Sequence, residues 1–369
     1  MSDDVILVIV VATALAFDFT NGFHDTANVV ATSISTRALS PRIAVGFASI
    51  LNFAGAFISL EVAATVAKGI VDAGEITSTI VFAGLVGAIA WNLITWYFGL
   101  PSSSSHALIG GVVGSMVAAV GFSAVDGESL LAKVFVPALV APLVAFSVAG
   151  IAILVAYRIV GRVRPGPVNR GFRLGQLVSG GLLALAHGTN DAQKTMGIIT
   201  LALIAHGNIA ADNFHVPTWV VVSSATAIAL GTYSGGWRII RTMGSRIIKM
   251  DTAQGFSAQG AGAAVIMASS HFGYPLSTTH VISGGVMGAG AARRLSAVRW
   301  GVAGNMILAW ILTIPMAGAI GGVTYGITRI FGTGAVGPVV VSVAGLILIG
   351  LVFARRVQRG SPITAGAGT

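Results

Sequence analysis

Two seven-residue segments place carboxylates and amides inside long apolar stretches of the chain. They read GFHDTAN at 22–28 and GTNDAQK at 188–194, an offset of 166 positions, and Asp25 and Asp191 occupy equivalent places in them. A charge at membrane depth is costly unless it is paired or solvated, so such carboxylates mark functional sites by default. We expect each to hold a coupling proton or to coordinate a cation. The alternative is a structural role, as a helix cap or a buried ion pair.

Other polar side chains accompany these carboxylates. They are Asn21, His24, Asn28, His187, Asn190, Gln193 and Lys194. The amides offer neutral donors and carbonyls, which bind oxyanions without holding them too tightly. Histidine titrates near neutral pH, so His24 and His187 are candidates for carrying coupling protons. Lys194 can take the place of a bound cation such as sodium; an ion pair that serves only packing is its structural alternative.

A second pair of motifs carries hydroxyl groups. GLPSSSSHALIGG at 99–111 matches GYPLSTTHVISGG at 273–285, an offset of 174 positions. In each motif a proline ends one segment and a glycine-rich apolar run follows, so each motif is predicted to form the tip of a re-entrant hairpin. An ordinary capping turn outside the membrane is the alternative.

These tips are predicted to bind an oxyanion. The N-terminus of a helix offers unpaired N–H groups and the positive end of its dipole, and added hydroxyls complete an anion site that needs no basic residue. The candidate hydroxyls are those of Ser103, Ser104, Ser105, Ser277, Thr278 and Thr279. His106 and His280, which follow them, fit a cap, a proton relay or a core histidine equally well.

Composition restricts the elements that can position these residues. Of 369 residues, 55% are hydrophobic and only 9% are charged, which nearly excludes a water-soluble fold. The 49 glycines suit helices that pack closely in lipid. There is no cysteine, which excludes disulfides, thiolate catalysis and cysteine-ligated metals. In such a chain the net charge of +9 indicates basic cytoplasmic loops and not nucleic-acid binding.

Eleven apolar stretches predict a polytopic membrane protein. They lie at about 5–36, 43–67, 79–98, 102–122, 131–157, 174–206, 216–236, 257–272, 276–292, 298–328 and 336–354. The first and the sixth are too long for one simple span and carry the polar motifs in their middles. Both are therefore predicted to be helices that break at mid-membrane.

Basic and acidic loops alternate along the chain. The basic groups are Arg37 and Arg42; Arg158, Arg162, Arg164, Arg170 and Arg173; Arg238, Arg241, Arg246 and Lys249; Arg293, Arg294 and Arg299; and Arg355, Arg356 and Arg359. The acidic residues between them are Asp72, Glu75, Asp126, Glu128 and Asp212. Because basic loops stay in the cytoplasm, this pattern predicts a plasma-membrane protein with its N-terminus outside and its C-terminus inside.

The two motif pairs recur in the same order with nearly the same spacing, so the chain is predicted to contain a duplication. The halves begin on opposite sides of the membrane, which makes the repeats inverted. We predict a first repeat at 1–157, a basic cytoplasmic linker at 158–173, a second repeat at 174–328, and an extra helix and tail at 329–369. An all-α polytopic fold of two inverted repeats, with broken helices and two re-entrant hairpins, is typical of secondary transporters, whose substrate site lies at the repeat interface.

At these residues the sequence strongly resembles the PiT family of inorganic phosphate transporters. The paired segments at 22–28 and 188–194 match the family's duplicated G-x-N-D-x-x-N signature, and the resemblance covers about 5–328. His24 and Lys194 replace signature asparagines, and both departures resemble the bacterial low-affinity, proton-coupled branch. The resemblance implies that Gln193 and Asn28 join the hydroxyls in binding phosphate. It implies coupling-ion roles for Asp25, Asp191, Lys194, His24, Asn21 and Asn190.

The resemblance implies a symporter that imports inorganic phosphate, free or as a metal–phosphate complex, with protons by alternating access. Its expected partners are phosphate, a coupling cation and the lipid bilayer, without nucleic acid or a cofactor; homo-oligomerisation is left open. A sodium-coupled phosphate or sulfate carrier is the first alternative. An intramembrane hydrolase built on Ser105–His106 or Ser277 and His280 is disfavoured because no G-x-S-x-G elbow is present. A channel fits paired buried carboxylates less well than a coupled carrier.

Overall fold

The computed structural model describes residues 2–68, 74–210 and 213–358, and these residues form helices joined by short turns, without strands. The first half contains α1 (Ser2–Ser35), α2 (Pro41–Gly55), α3 (Glu61–Lys68), α4 (Ser78–Phe98), α5 (Ser104–Val120), α6 (Gly127–Leu130) and α7 (Val136–Val160). The second half contains α8 (Pro165–Ala205), α9 (Thr218–Ser234), α10 (Trp237–Arg241), α11 (Thr252–His271), α12 (Thr278–Ala291), α13 (Trp300–Ile330) and α14 (Val336–Gln358).

Several of these helices have the length and composition of membrane spans. Among the described residues, the segments long and apolar enough to cross a bilayer are Asp3–Ser35, Ser78–Phe98, Gly127–Val160 and Trp300–Ile330. Outward-facing side chains on α7 and α13, such as Leu139, Leu143 and Ile311, are exposed although they are apolar. Such a surface suits lipid and not water. The prediction of an all-α polytopic membrane protein is confirmed.

The predicted breaks in the two long helices are wrong. α1 runs for 34 residues and α8 for 41 residues without interruption. Some of their central polar side chains, such as Asn28 and Lys194, hydrogen-bond to the hairpin tips while the backbone stays helical. At 1.5 Å per residue α8 is about 60 Å long, twice the hydrocarbon thickness. Its first turns carry Arg170 and Arg173 on exposed positions, which suits a helix that extends beyond the bilayer.

The chain breaks instead at the two hydroxyl-rich motifs. α4 ends at Phe98 and is capped by Gly99, whose positive φ of 66° gives the left-handed conformation that favours glycine, and α5 begins at Ser104. The second motif repeats this arrangement between α11 and α12, where Gly273 has a φ of 75°. α4 packs on α5, and α11 packs on α12, so each motif is the tip of a helical hairpin. Entry of the hairpins into the membrane from opposite sides stays a prediction.

The two halves of the chain interlock. α1 packs on α9 while α8 packs on α2, and α5 packs on α13 while α12 packs on α7. Glycines allow the first two contacts: a Cβ on Gly22 would overlap the backbone of Ile228, and one on Gly188 would overlap the backbone of Asn52. The packing is therefore reciprocal between the halves. The inversion and the boundaries of the repeats stay predictions.

The segment predicted as a linker is largely helical. α7 continues to Val160 and α8 begins at Pro165, which leaves 161–164 as the connection. Proline is well tolerated in the first turn of a helix because its missing N–H would have no partner there. The predicted extra C-terminal helix is α14. Residues 359–369 of the predicted tail, and the predicted acidic loop residues Asp72 and Asp212, lie outside the described residues.

Candidate functional site

The tips of the two helical hairpins meet. The hydroxyl of Ser105 donates to the carbonyl of Leu276 at 3.1 Å, and the rings of His106 and His280 lie edge to face with their centroids 4.8 Å apart. Ser103 caps α5 by accepting the backbone N–H of His106 at 3.1 Å. Ser277 caps α12 in the same way. Two helix N-termini therefore converge on one point, which favours negative charge there.

Asp25 of α1 lies between the tips. Its Oδ1 accepts from Ser104 Oγ at 3.2 Å, and its Oδ2 accepts from Thr278 Oγ1 at 3.3 Å. Thr279 Oγ1 lies 3.5 Å from Oδ1. One carboxylate thus gathers hydroxyls from both hairpins, which are 174 positions apart in sequence. These hydroxyls are among the predicted phosphate ligands.

His24 joins Asp25 to two residues that the sequence analysis did not select. Its Nδ1 lies 2.7 Å from Asp25 Oδ1, and its Nε2 lies 3.1 Å from Thr95 Oγ1 and 3.3 Å from Ser102 Oγ. Thr95 is on the last turns of α4, and Ser102 precedes the α5 cap. Ser102 lies within the hydroxyl-rich motif at 99–111, and the only sequence signal for Thr95 is its proximity to that motif. The ring is therefore held between the carboxylate and the hairpin turn.

Lys194 of α8 is wholly buried and surrounded by oxygen atoms. Its Nζ donates to Asp191 Oδ1, to Ser105 Oγ at 2.5 Å and to the carbonyl of Leu276 at 2.8 Å. A carboxylate, a hydroxyl and a carbonyl are also the groups that hold a coupling cation in transporters. The ammonium therefore occupies an environment suited to a monovalent cation, and it bridges the tips of both hairpins.

The other oxygen of Asp191 has separate partners. Oδ2 accepts from Thr278 Oγ1 at 3.2 Å and lies 3.1 Å from His187 Nε2. His187 Nδ1 lies 3.3 Å from Asn52 Oδ1 on α2. Thr278 contacts both Asp25 and Asp191, so it links the two carboxylates across the pair of motifs.

Asn28, the counterpart of Lys194 in the first motif, also reaches across to a hairpin. Its Nδ2 donates to Thr278 Oγ1 at 3.2 Å and to Thr279 Oγ1 at 2.9 Å. Thr279 and Ser105 occupy equivalent positions in their hairpins, so the Asn28 contact corresponds to the contact of Lys194 with Ser105. The structure therefore brings Asn28, Lys194 and both carboxylates together with the two tips.

Gln193 and Asn190 face elsewhere. The carbonyl oxygen of Gln193 accepts the backbone N–H groups of Val62 and Ala63 at the start of α3, at 2.8 and 3.2 Å, and its Nε2 donates to the carbonyl of Thr189 at 2.5 Å. Asn190 Nδ2 donates to Ser270 Oγ and to the carbonyl of Tyr274, which fixes the α11–α12 turn. No hydrogen bond joins Gln193 to a hairpin tip in the described residues.

The cluster is buried and short of positive charge. All six tip hydroxyl residues and both carboxylates are at most 3% exposed. Asp25 and Asp191 carry two formal negative charges when ionised, and Lys194 carries one positive charge. An oxyanion placed here would add further negative charge, which a low-dielectric site does not tolerate without compensation. The geometry therefore favours binding an anion together with a cation or with protons.

Three of these side chains are close enough to share one metal ion. Asp25, His187 and Asp191 each offer a ligand atom, and these atoms lie within 4.8 Å of one another. Two carboxylates and an imidazole suit a divalent cation. The contact of Lys194 with Asp191 competes for one of the three ligands.

Asp18 is a buried carboxyl that the sequence analysis did not select as a site residue. Its side chain is 0% exposed. The signal that identifies it is helical spacing, because Asp18, Asn21, Asp25 and Asn28 follow one another at intervals of three or four residues and so share one face of α1. Asn21 therefore lies beside Asp18, one turn from the hairpin tips.

Comparisons with known proteins identify the family of this chain. The sequence profile described as "Phosphate transporter family" matches residues 21–170 and 161–321. A probable low-affinity inorganic phosphate transporter of Mycobacterium tuberculosis is 54% identical over 327 residues, which cover 89% of this chain and 78% of that protein. One of Bacillus subtilis is 44% identical over 323 residues, which cover 87% of this chain and 96% of that protein.

A solved structure shares the fold. It is described as the sodium-dependent phosphate transporter, and it superposes with a TM-score of 0.77 at 23% identity over 88% of this chain and 99% of that one. Together with the matched profile and the relatives, this agrees with the family that the paired motifs predict. The chain belongs to the phosphate transporter family, a family of transporters and not of enzymes.

Proposed function

We propose that this protein is a symporter that imports inorganic phosphate together with protons by alternating access. The observation that carries the proposal is the position of Lys194. Its ammonium group contacts a carboxylate, a hydroxyl and a carbonyl, and a sodium ion at that position would have to displace it or be repelled by it. The protein's own cation thus replaces a coupling ion at this position.

Phosphate is proposed to bind between the hairpin tips. The ligands are the hydroxyls and N-terminal N–H groups of α5 and α12, with Asn28 beside them: Ser103, Ser104, Ser105, Ser277, Thr278 and Thr279. Ser104 and Thr278 now donate to carboxylates. A phosphate oxygen is an equally good acceptor, so these hydroxyls can turn towards it. Gln193 caps the start of α3 in this structure. It can therefore bind phosphate only in a step of the transport cycle in which α3 moves away.

Coupling is proposed to follow from the charge of the site. With Asp25 and Asp191 ionised and Lys194 charged, phosphate binding adds one or two negative charges to a buried cluster. Protons that bind together with phosphate neutralise the added negative charge. Phosphate that binds alone would be repelled by the negative charge of the cluster. We also assign His24 and Asn190 to coupling, through their contacts with Asp25 and with the α11–α12 turn. Asn21 is assigned by its position one turn before Asp25 on the same face of α1.

The relatives and the solved structure favour the same substrate but differ over the coupling ion. The relatives are named low-affinity inorganic phosphate transporters, and the structure of similar fold is named a sodium-dependent one. A sodium-coupled mechanism, for phosphate or for sulfate, is therefore the second candidate. The position of Lys194 favours protons.

The transported species can be a metal–phosphate complex. Asp25, His187 and Asp191 are placed to contact a divalent ion that enters with phosphate as cargo. In that case the divalent ion supplies part of the positive charge that the cluster lacks. Uptake measured with and without magnesium, at constant free phosphate, separates the two forms of the substrate.

We further propose that the N-terminus lies outside the plasma membrane and the C-terminus inside, with the sequence halves at 1–157 and 174–328 as inverted repeats. This orientation is proposed because the basic loops all fall on one side of the membrane in the predicted topology. Reciprocal packing of α1 on α9 and of α8 on α2 supports the repeat assignment. The chain has no cysteine, so labelling of single cysteines introduced into the loops can test on which side of the membrane each loop lies. A homo-oligomer remains an expectation to be tested by mass measurement in detergent.

Uptake of labelled phosphate into proteoliposomes tests the proposal. A proton gradient, acidic outside, should drive accumulation in sodium-free choline medium. A sodium gradient at equal pH should not. Uptake that requires sodium would replace the proton assignment with the sodium alternative. Uptake of sulfate but not of phosphate would change the substrate.

A further inference from the structure

Asp18 stands out because its buried carboxyl has no hydrogen-bond partner among the described residues. The side chain is 0% exposed, and neither Oδ1 nor Oδ2 makes a hydrogen bond of normal geometry, although Thr195 and Asn21 lie beside them. Asp25 and Asp191, by contrast, each accept several hydrogen bonds. A buried carboxylate without donors costs far more than a buried neutral group. The surroundings of Asp18 therefore disfavour its ionised form.

The polar neighbours of Asp18 also lack partners. They are Thr195 of α8 and Asn21 of α1. Thr195 Oγ1 and Asn21 Oδ1 are both buried without a hydrogen-bond partner. Asn21 Oδ1 can only accept a hydrogen bond, and the hydroxyl of Thr195 can accept or donate one, whereas a carboxylate has no proton to give to either. A carboxylic acid offers one O–H group, and so it is complementary to this pocket.

We propose that Asp18, with Thr195 and Asn21, forms a proton-binding site that is separate from the cluster at the hairpin tips. Its ligand is a single proton, held as the carboxylic acid with its O–H directed to Thr195 or Asn21. The inference deepens the proposed function and rests on it, because it names the group that carries a coupling proton.

The duplicated half of the molecule shows that helix packing does not require this polar pair. With the motif offset of 166, Asp18 corresponds to Ala184 and Thr195 corresponds to Val29. Both counterparts are apolar and buried, at 0% and 3% exposure. The aligned positions are therefore apolar and buried in one half and carry an acid and a hydroxyl in the other. A role beyond packing accounts for the difference.

The position of Asp18 connects it to the charged cluster. The charged side chains that act on it are Asp191 and Lys194 of α8. Loss of the proton would create a negative charge that repels Asp191 and attracts Lys194. The ammonium would then be drawn away from its contacts with Ser105 and Leu276, which hold the two hairpin tips together. Proton binding at Asp18 is thus linked to closure of the anion cluster.

Asp18→Asn tests this inference, because an amide resembles the protonated acid in shape but cannot release a proton. In proteoliposomes this variant should exchange internal for external phosphate at a rate within about threefold of wild type. Its accumulation driven by a proton gradient should fall at least tenfold. Asp126→Asn is the matched control, since Asp126 is exposed and outside the predicted spans, and it should retain both activities.

The outcomes separate this inference from the proposed function. If the wild type does not respond to a proton gradient, the proposed function fails and this inference fails with it. If the wild type responds and Asp18→Asn accumulates phosphate equally well, only this inference is overturned. Loss of exchange together with accumulation in a folded variant would also overturn it, in favour of a structural role.

Infrared spectroscopy keeps the inference testable if Asp18→Asn does not fold. Wild type at neutral pH should show the carbonyl band of a buried carboxylic acid. That band should shift in frequency in Asp18→Glu, which keeps the acid but lengthens the side chain. A wild-type spectrum without such a band at neutral pH would overturn the proposal.

Discussion

The two halves of the binding cluster use the same geometry with different charge. In the first half Asn28 donates to Thr278 and Thr279 of the opposite hairpin. In the second half Lys194 occupies the equivalent position, and it donates to Ser105 of the opposite hairpin and to Asp191. One contact is neutral and the other is an ion pair. Equivalent positions of the two motifs thus make equivalent contacts, and a single side chain makes one of these contacts ionic.

The comparison extends to the positions next to the motifs. Asn21 of the first half corresponds to His187 of the second, and Asp18 corresponds to Ala184. The first half therefore holds an additional acid, and the second holds a lysine and a histidine around its carboxylate. In the proposed mechanism phosphate is bound by both halves, and this asymmetry divides the charge compensation unequally between them.

Replacing the two aspartates one at a time should give the largest effects on uptake, and the effects on stability should differ between the two halves. Asp25→Asn and Asp191→Asn should both abolish concentrative uptake, because an amide cannot reproduce the charge that holds the cluster. Asp191→Asn should in addition lower stability by about 3–5 kcal/mol, because it leaves the buried ammonium of Lys194 unpaired. Phosphate accumulation and thermal unfolding in detergent measure the two effects.

The double variant Asp191→Asn/Lys194→Asn is the control for the stability effect. It should recover most of the lost stability without recovering uptake, since no unpaired charge remains. Equal stability of Asp25→Asn and Asp191→Asn would contradict the ion-pair account. Full uptake against a gradient by either single variant would remove that aspartate from the mechanism.

Converting Lys194 to the residue found in the first half should have the next largest effect. Hydrogen bonds to a charged group contribute about 1.5–3 kcal/mol, so Lys194→Asn should lower uptake roughly tenfold or more. It should also open an oxygen-lined position for a cation, so that sodium stimulates the remaining uptake. Initial rates in choline and in sodium media test this, and a variant with unchanged sodium-free uptake would contradict it.

The motif glycines should show equal effects in the two halves. Gly22→Ala and Gly188→Ala should each destabilise the protein by about 1–3 kcal/mol, because the added methyl group overlaps the backbone of the facing helix. Gly46→Ala in α2 is the control, since an added Cβ there meets nothing within 4 Å. Thermal unfolding of the three variants measures the difference. Destabilisation by Gly46→Ala as large as by the other two would contradict the packing argument.

The smallest effects are expected at the helix caps. Ser103 and Ser277 each accept one backbone N–H, and losing such a cap costs about 1 kcal/mol. Ser103→Ala and Ser277→Ala should therefore lower stability by similar small amounts, and each should raise the phosphate concentration needed for half-maximal uptake. A change confined to one half would show that only one hairpin contacts the anion.

Much of the fold and cluster follows from the duplicated motifs. Equivalent motifs must occupy equivalent positions, so the amino-acid sequence alone is enough to select Asp25, Asp191 and the hydroxyls of both hairpins. Proline and glycine at 99–101 and 273–275 also indicate the turns. These signals are local, and they identify which residues have the required chemistry.

Features that depend on the facing helix could not be predicted. α1 and α8 stay continuous although polar residues occupy their middles, and the partners of Asn28 and Lys194 come from segments far away in the sequence. Gln193 and Asn190 carry amides suited to binding an anion or a cation, but these amides hydrogen-bond to the start of α3 and to the α11–α12 turn instead. The importance of Asp18 depends on the absence of hydrogen bonds to its carboxyl among the described residues, and Thr195 becomes its neighbour only through packing of α1 on α8.

Binding of phosphate to the purified protein without sodium tests the central claim most directly, namely that Lys194 replaces the coupling cation beside Asp191. Titration calorimetry in choline buffer and in sodium buffer at one pH compares the two conditions without a membrane or a gradient. We predict the same phosphate affinity in both buffers, and net proton uptake on binding when buffers of different ionisation enthalpy are compared. Binding that appears only in sodium buffer would contradict the account.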